Sequence, residues 1–390
     1  MELKIIASTQ LDSVADKNNF DYLAGISAGI SNTASKLEEL RTEDIEKTNR
    51  RIAVAKEEGD ERFFKTSSFS IAIDGLPRIL GFMLQHYPNI HIVDREGRYV
   101  NVKMSASQEL IYNKWVEIFK NKIIKLYKSD YPAYFSDAKI KKLAHDNARY
   151  LTSVFATTDV IMTANYVDLN RFIAISQVII AKADKTVFED RLAVALDELV
   201  VKLKDLPYYD EELCMNYAGD NTSIFADNKR NEEYYADVYS SVYNSSWLYL
   251  DEALDLGGVE YKFNFDENDK SYYIPEILSD SPEFAELWLS DIKSLGDDYF
   301  PMATLLEIEE RGTLDNFLDK LKSTKCTHTQ LELNKRANDT LHKYEYALRL
   351  KVHPRAEDLI AFTHGSKCKC GYECKEECEF GLGVDETRRI

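Results

Sequence analysis

Between Ser67 and Ile73 apolar and polar residues alternate in SSFSIAI, the two-residue period of a half-buried strand. Residues 2–7 (ELKIIA) predict another short strand. The stretch 34–58 changes period: its apolar residues fall at helical spacing among Glu, Lys and Arg, predicting a solvated helix. Leu76–Gln85 predicts a helix with Pro77 in its first turn, and Pro88 then turns the chain out of helix. Residues 106–129 and 137–150 predict two amphipathic helices. Leu151–Ala164 is apolar and β-branched and predicts a strand. Helices over Asp168–Ala183 and Thr186–Leu203 follow, closed by Pro207. Further on, Tyr261–Phe265 and Met302–Ile308 predict strands, and Pro282–Leu295, Leu314–Lys322 and Thr329–Leu348 predict helices.

Strands interleaved with long helices place the chain in the α/β (α+β) class, a mixed sheet packed with helices. From Tyr208 to Tyr243 the composition shifts to Tyr, Asn and Asp. The expected organisation is therefore a first domain at 1–207, a connection at 208–243, a second domain at 244–363 and a tail at 364–390. The tyrosines of this region, among them Tyr208, Tyr209, Tyr234, Tyr235, Tyr239 and Tyr243, are expected to pack a domain or subunit interface. An internal repeat is visible. A strand followed by Asn165, Val167, Leu169 and Phe172 leads to a helix and then to Glu189. Later a strand followed by Glu310, Gly312, Leu314 and Phe317 leads to a helix and then to Gln330 and Glu332.

Length and charge narrow the function. A chain of 390 residues exceeds one compact core and fits two domains. A net charge of −18 argues against a nucleic-acid or anionic-membrane surface, since phosphate backbones are bound through Lys and Arg clusters. No run of apolar residues is long enough to span a bilayer, and MELKIIASTQ is unlike a secretion signal, so a soluble cytoplasmic protein is expected. Glycine-rich phosphate loops, Ser-His-Asp series and His-Glu-x-x-His motifs are missing from the sequence.

The stretch SSFSIAIDGLPRILGFMLQHYPNIHIVDREGRYV (Ser67–Val100) resembles the signature region of the flavin-dependent thymidylate synthases (ThyX). Phe69, Ser70, Ala72, Ile73, Asp74 and Gly75 match the strand and entry turn, Arg78 the helix arginine, Asp94 the acidic position, and Arg98-Tyr99 the close. A second family segment is similar to Thr163, Asn165, Leu169 and Phe172, followed by Glu189 and Arg191. The resemblance covers residues 1–205, and a weaker copy spans 240–390, so the fold it implies is ThyX-like in two degenerate copies. It also implies a homo-oligomer that holds FAD and delivers a one-carbon unit from methylenetetrahydrofolate to C5 of dUMP, with NADPH supplying hydride. Arg78, Asp94, Arg98 and Tyr99 are then the implied substrate-binding residues. His86, Asn165 and Arg171 are the implied cofactor contacts, with helix capping the alternative for Asn165. No catalytic residue is assigned.

Departures from the family pattern bear on activity. His86, Tyr87 and Pro88 stand where the family has Arg-His-Arg, and His91 and Glu96 where it has serines. Val167 and Ser176 occupy two further arginine positions. Losing several charge-assisted contacts of about 1.5–3 kcal/mol each weakens nucleotide binding by orders of magnitude. Two readings follow: a synthase with altered or weak activity, or a catalytically silent scaffold or nucleotide-binding homologue. Separately, Cys368, Cys370, Cys374 and Cys378 fall within eleven residues and supply the thiolates a Zn²⁺ site needs. An iron–sulfur cluster and free thiols are the alternatives.

Overall fold

The computed structural model describes residues 1–9, 20–85, 87, 89–95, 104–215, 238–326, 329–349, 356–360, 362–363 and 388–390. Seven strands and fourteen α-helices alternate along them. The first half runs β1 (Glu2–Ser8), α1 (Phe20–Asn32), α2 (Leu37–Thr42), α3 (Ile45–Glu57), β2 (Ser68–Pro77), α4 (Arg78–Gln85) and β3 (Ile90–Asp94). It continues with α5 (Ala106–Ile123), α6 (Asp137–Ala148), β4 (Thr157–Asn165), α7 (Tyr166–Ala181), α8 (Val187–Lys204) and α9 (Glu211–Met215). The second half runs β5 (Val238–Ser246), α10 (Trp247–Leu254), β6 (Glu260–Asn264), α11 (Pro282–Ser294) and β7 (Leu305–Thr313). It ends with α12 (Leu314–Thr324), α13 (Leu331–Arg349) and α14 (Ala356–Ile360).

The chain divides into two compact units. Met1–Glu96 and Phe155–Ala226 form the first, Gly97–Val154 and Asp227–Ile390 the second. This partition is discontinuous: the segment carrying α5 and α6 interrupts the first unit and belongs to the second. The first unit is built on a four-stranded sheet of order β1-β2-β4-β3, the second on a three-stranded sheet of order β5-β7-β6. Every strand pair is antiparallel, so the class is α+β and the sheets are not mixed.

Three expectations change. Residues 151–156 are not strand, because Arg149–Leu151 close a 3₁₀ turn and β4 starts only at Thr157. In the second unit, β5 starts inside the interval expected to be a connection. Its sequence VYSSVYNSS lacks the aliphatic alternation that marks the other strands, because its inward positions are Tyr239, Ser241, Tyr243 and Ser245. Leu76 and Pro77 finish a strand and do not open a helix, since their partners Thr158 and Thr157 on β4 hold them in the sheet.

Apolar residues on one side of each sheet meet the helices. In the first unit Phe69, Ile71, Ile73, Val160, Met162 and Ala164 point inward, and Leu80, Leu169 and Phe172 meet them from α4 and α7. Burying each large side chain is worth about 1.5–3 kcal/mol, which makes this layer the main source of the unit's stability. Helix starts are capped by side chains: Asn165 caps α7, Thr186 caps α8 with Glu189 completing a capping box, and Thr313 caps α12.

The two sheets repeat one another. Both units run strand, eight-residue helix, edge strand, excursion, central strand, helix, helix. Pairing fixes the correspondence, because Ser68 faces Asn165 where Val238 faces Thr313, and Pro77 faces Thr157 where Ser246 faces Leu305. The helix cap Asn165 therefore matches Thr313, and Glu310 matches Met162. This moves the repeat three positions from the alignment suggested by sequence, which set Asn165 against Glu310. The register decides, because backbone pairing cannot slip by an odd number of residues without turning side chains to the other face.

Candidate functional site

The sequence-predicted residues of the first unit separate into two groups at opposite ends of β4. Arg78 opens α4 beside the Thr157 end, its N–H donating to the Ala156 carbonyl at 3.0 Å. Asp94 ends β3 opposite Val160. Asn165 ends the strand, about 26 Å from Thr157 and about 16 Å from Val160 at ~3.3 Å per residue, and Arg171 follows in the second turn of α7. The substrate and cofactor groups implied by the resemblance are thus spatially distinct. His86, Arg98, Tyr99 and the four tail cysteines lie outside the described residues, as does Glu96.

A bulge shapes the Arg78 end. Between Ile73 and Leu76 the register with β4 shifts, so β2 carries one extra residue at Asp74-Gly75. Gly75 has φ of 76°, a conformation that costs a side-chain-bearing residue about 1–2 kcal/mol. Its N–H donates to Asp159 Oδ1 at 3.1 Å, and Arg95 pairs with Asp159 Oδ2 at 3.0 Å. Bulges bend a strand and re-aim the side chains that follow, here Arg78. The Arg78 side chain is 5% exposed, so any anion it meets is met by a largely desolvated guanidinium.

The other end is less open to an anion. Asn165 Oδ1 accepts from the Asp168 N–H at 2.9 Å, and its amide nitrogen donates to the Asp168 carboxylate. It is the helix cap, the alternative that the sequence left open. Arg171 pairs with Glu61 and lies 3.7 Å from Asp168, so two carboxylates surround its one positive charge. Val167 and Ser176, at two family arginine positions, are fully buried in α7. These described residues do not fit a flavin pyrophosphate, which needs an electropositive cradle.

The second unit holds two buried polar networks that sequence reasoning missed. In the first, the Glu310 carboxylate accepts from Tyr239 at 2.6 Å, from Lys320 at 2.6 Å, from Tyr249 at 3.3 Å and from Tyr243. Lys320 also donates to the hydroxyls of Tyr249 and Tyr261 at 3.1 and 3.3 Å. Glu310 and Lys320 are 0% and 2% exposed. Burial alone would raise the Glu310 carboxyl, but Lys320 and the hydroxyls of Tyr239 and Tyr243 outweigh it and hold the group below its ordinary value. Burial pushes the tyrosine hydroxyls up, so they act as donors. The available signal was a glutamate on the apolar phase of LLEIEERGT, where Leu306, Ile308 and Glu310 share one face.

In the second network, Glu332 Oε1 accepts from Ser245 Oγ at 2.6 Å and from the Ser246 N–H at 2.9 Å. Its Oε2 accepts from Ser246 Oγ at 2.6 Å and from Tyr150 at 2.9 Å. Gln330 donates to the Tyr150 hydroxyl. Ser246 caps α10, so a buried side-chain carboxylate sits at that helix's N-terminal end, where the helix dipole favours an anion. Beside it a cavity of about 40 Å³ touches Arg149, Tyr150, Glu252, Tyr273 and Gln330. That is room for about three waters and not for a nucleotide. No group of His, Cys, Asp and Glu able to hold a metal occurs among the described residues. No helix among the described residues is long and apolar enough to cross a membrane.

No protein-family profile and no curated protein matches the chain. Among solved structures, the chain is similar to a UMP/dUMP methylase, PolB, from Streptomyces cacaoi bound with 5-Br dUMP. The TM-score is 0.33 at 13% identity, over 55% of this chain and 94% of that one.

Proposed function

We propose that the protein is a divergent ThyX-type homologue that binds a pyrimidine deoxynucleotide, with dUMP the ligand implied by the resemblance, at the Arg78–Asp94 end of the first sheet. The observation that carries this reading is the bulged β2–α4 junction. The motif residues Asp74, Gly75, Arg78 and Asp94 gather there, around a glycine whose backbone conformation disfavours other residues. An arginine supplies charge-assisted donors to a phosphate, and a carboxylate accepts from a base or sugar.

The experiment is a calorimetric titration of the full chain with dUMP, repeated with Arg78→Ala. Binding weakened about 10- to 100-fold by the substitution supports the reading, since one charge-assisted contact is worth that much. Undiminished binding in the variant, or no binding to the unsubstituted chain, would sink it.

A second reading, full flavin-dependent synthesis of dTMP with folate and NADPH, is favoured by the order of the two family-like segments along the chain. Arg171 held between Glu61 and Asp168 weighs against it. Absorbance near ~450 nm in purified protein, or after incubation with FAD, distinguishes the two. The homologue reading also carries a homo-oligomer. Val93 and Ile161, 73% and 47% exposed and paired across β3 and β4, offer it an apolar face, and light scattering gives the mass.

A further inference from the structure

We infer that the chain has a single nucleotide site, and that the second unit is a sealed counterpart whose equivalent position is filled by its own side chains. This rests on the nucleotide-binding reading above and adds the number of sites and their location.

Strand register equates positions of the two units. Arg78 comes directly after the Pro77–Thr157 pair, and Trp247 directly after the Ser246–Leu305 pair, so the two residues occupy the same place. Asp94 faces Val160 on the central strand, and Phe263 faces Ile308, the residue matching Val160. The two residues proposed to bind ligand in the first unit are therefore replaced by aromatics in the second. These aromatics touch, with ring centroids 5.1 Å apart in an edge-on arrangement. Trp247 is 0% and Phe263 7% exposed.

Two further differences point the same way. The bulge that precedes Arg78 has no counterpart, because β5 pairs with β7 in unbroken register from Val238 to Ser246. And the second unit carries its own anion. Glu332, the second residue of α13, matches Phe188, the second residue of α8. Where the first unit packs Leu76, Pro77 and Phe188, the second has Ser245, Ser246 and Glu332, with three hydroxyls and one N–H already donating to the carboxylate. A ligand anion at that junction would have to displace a buried carboxylate that already accepts four hydrogen bonds.

The test uses the full chain, dUMP as probe, and tryptophan emission. The three tryptophans, Trp115, Trp247 and Trp288, all belong to the second unit, so their fluorescence reports on that unit alone. Expected are one dUMP per chain by calorimetry, and tryptophan emission unmoved at saturation. A double exchange, Arg78→Trp with Asp94→Phe, installs the second unit's pair in the first and should abolish binding while circular dichroism stays unchanged. In a Trp115→Phe, Trp288→Phe background, Trp247 should emit blue-shifted and resist acrylamide. Two equivalents of dUMP, or emission changing with the binding midpoint, would overturn the single-site inference and leave nucleotide binding standing. So would an acrylamide-accessible Trp247. Failure of the chain to bind dUMP at all would instead remove the nucleotide reading, and this inference with it.

Discussion

Six positions behind each sheet show how differently one backbone arrangement can be filled. In the first unit they are Phe69, Ile73, Leu80, Ile92, Met162 and Phe172. In the second, by register and by distance from the helix caps, they are Tyr239, Tyr243, Tyr249, Tyr261, Glu310 and Lys320. An apolar layer has become a buried ion pair ringed by four hydroxyls. At the sheet end the exchange runs the other way, with Arg78 and Asp94 in the first unit against Trp247 and Phe263 in the second. Each unit is thus polar where the other is apolar. Strand pairing is conserved at these places although only Tyr239 for Phe69 differs by a hydroxyl alone, Tyr243, Tyr249 and Tyr261 standing where the first unit has the smaller Ile73, Leu80 and Ile92. Chemistry is not, because burying that hydroxyl requires a partner, and Glu310 is the shared acceptor for three of the four.

The comparison can be broken most forcefully by splitting the buried pair. Glu310→Met alone or Lys320→Met alone leaves an uncompensated charge and should cost the second unit about 3–5 kcal/mol. The exchange of both, Glu310→Met with Lys320→Phe, together with Tyr239→Phe, Tyr243→Phe, Tyr249→Phe and Tyr261→Phe, removes charges and hydroxyls alike and should recover most of that loss. Urea unfolding followed by tryptophan emission measures it, and single variants losing under ~1 kcal/mol would show that the network is not a closed unit. The converse graft, Met162→Glu, buries a lone carboxylate in the first unit and should be comparably destructive, visible as lost secondary structure in circular dichroism.

Glu332→Ala removes an acceptor that serves three hydroxyls and an N–H, and about 2–4 kcal/mol of destabilisation is expected. Acetate can enter the vacated space and restore part of the melting temperature, whereas chloride at equal ionic strength should not. Equal effects of the two salts would argue against an anion-specific place.

Acid should expose the Glu310 network. Its folded carboxyl lies below the ordinary value of 4.5, so its contribution is complete above that value and is lost as pH falls through the folded one. A Glu310→Gln variant, already without the charge, should show a shallower decline in second-unit stability as the pH falls below 4.5. An identical slope in both proteins would assign the acid sensitivity elsewhere.

The smallest effect is at the bulge. Gly75→Ala forces a side chain into positive φ and should cost about 1–2 kcal/mol. Weakened dUMP binding beyond what the stability loss explains would tie the bulge to ligand positioning.

Much of this architecture was legible from residue pattern. The strand from Ser68 to Ile73, the helices that begin near Ala106, Asp137, Asp168 and Thr186, and the existence of the repeat all follow from the periods of the apolar residues. Those signals are local, set by which side chains share a face over four to eight residues. β5 escaped because VYSSVYNSS buries tyrosines whose partner is distant in the chain. The matching of the two copies also escaped, since apparent likeness in sequence placed Glu310 against Asn165.

What the sequence determined by itself was therefore the inventory: α+β elements in a repeated order, a family-like segment at Ser67–Tyr99, and an acidic chain poor in the cations that segment needs. Only the tertiary structure decided which charges are spent. Arg171 is balanced by Glu61, Lys320 by Glu310, and Glu332 by serine hydroxyls and Tyr150, in contacts that join residues from 10 to 182 positions apart. No local period encodes such pairings, because a buried charge is satisfied by whatever the fold brings beside it.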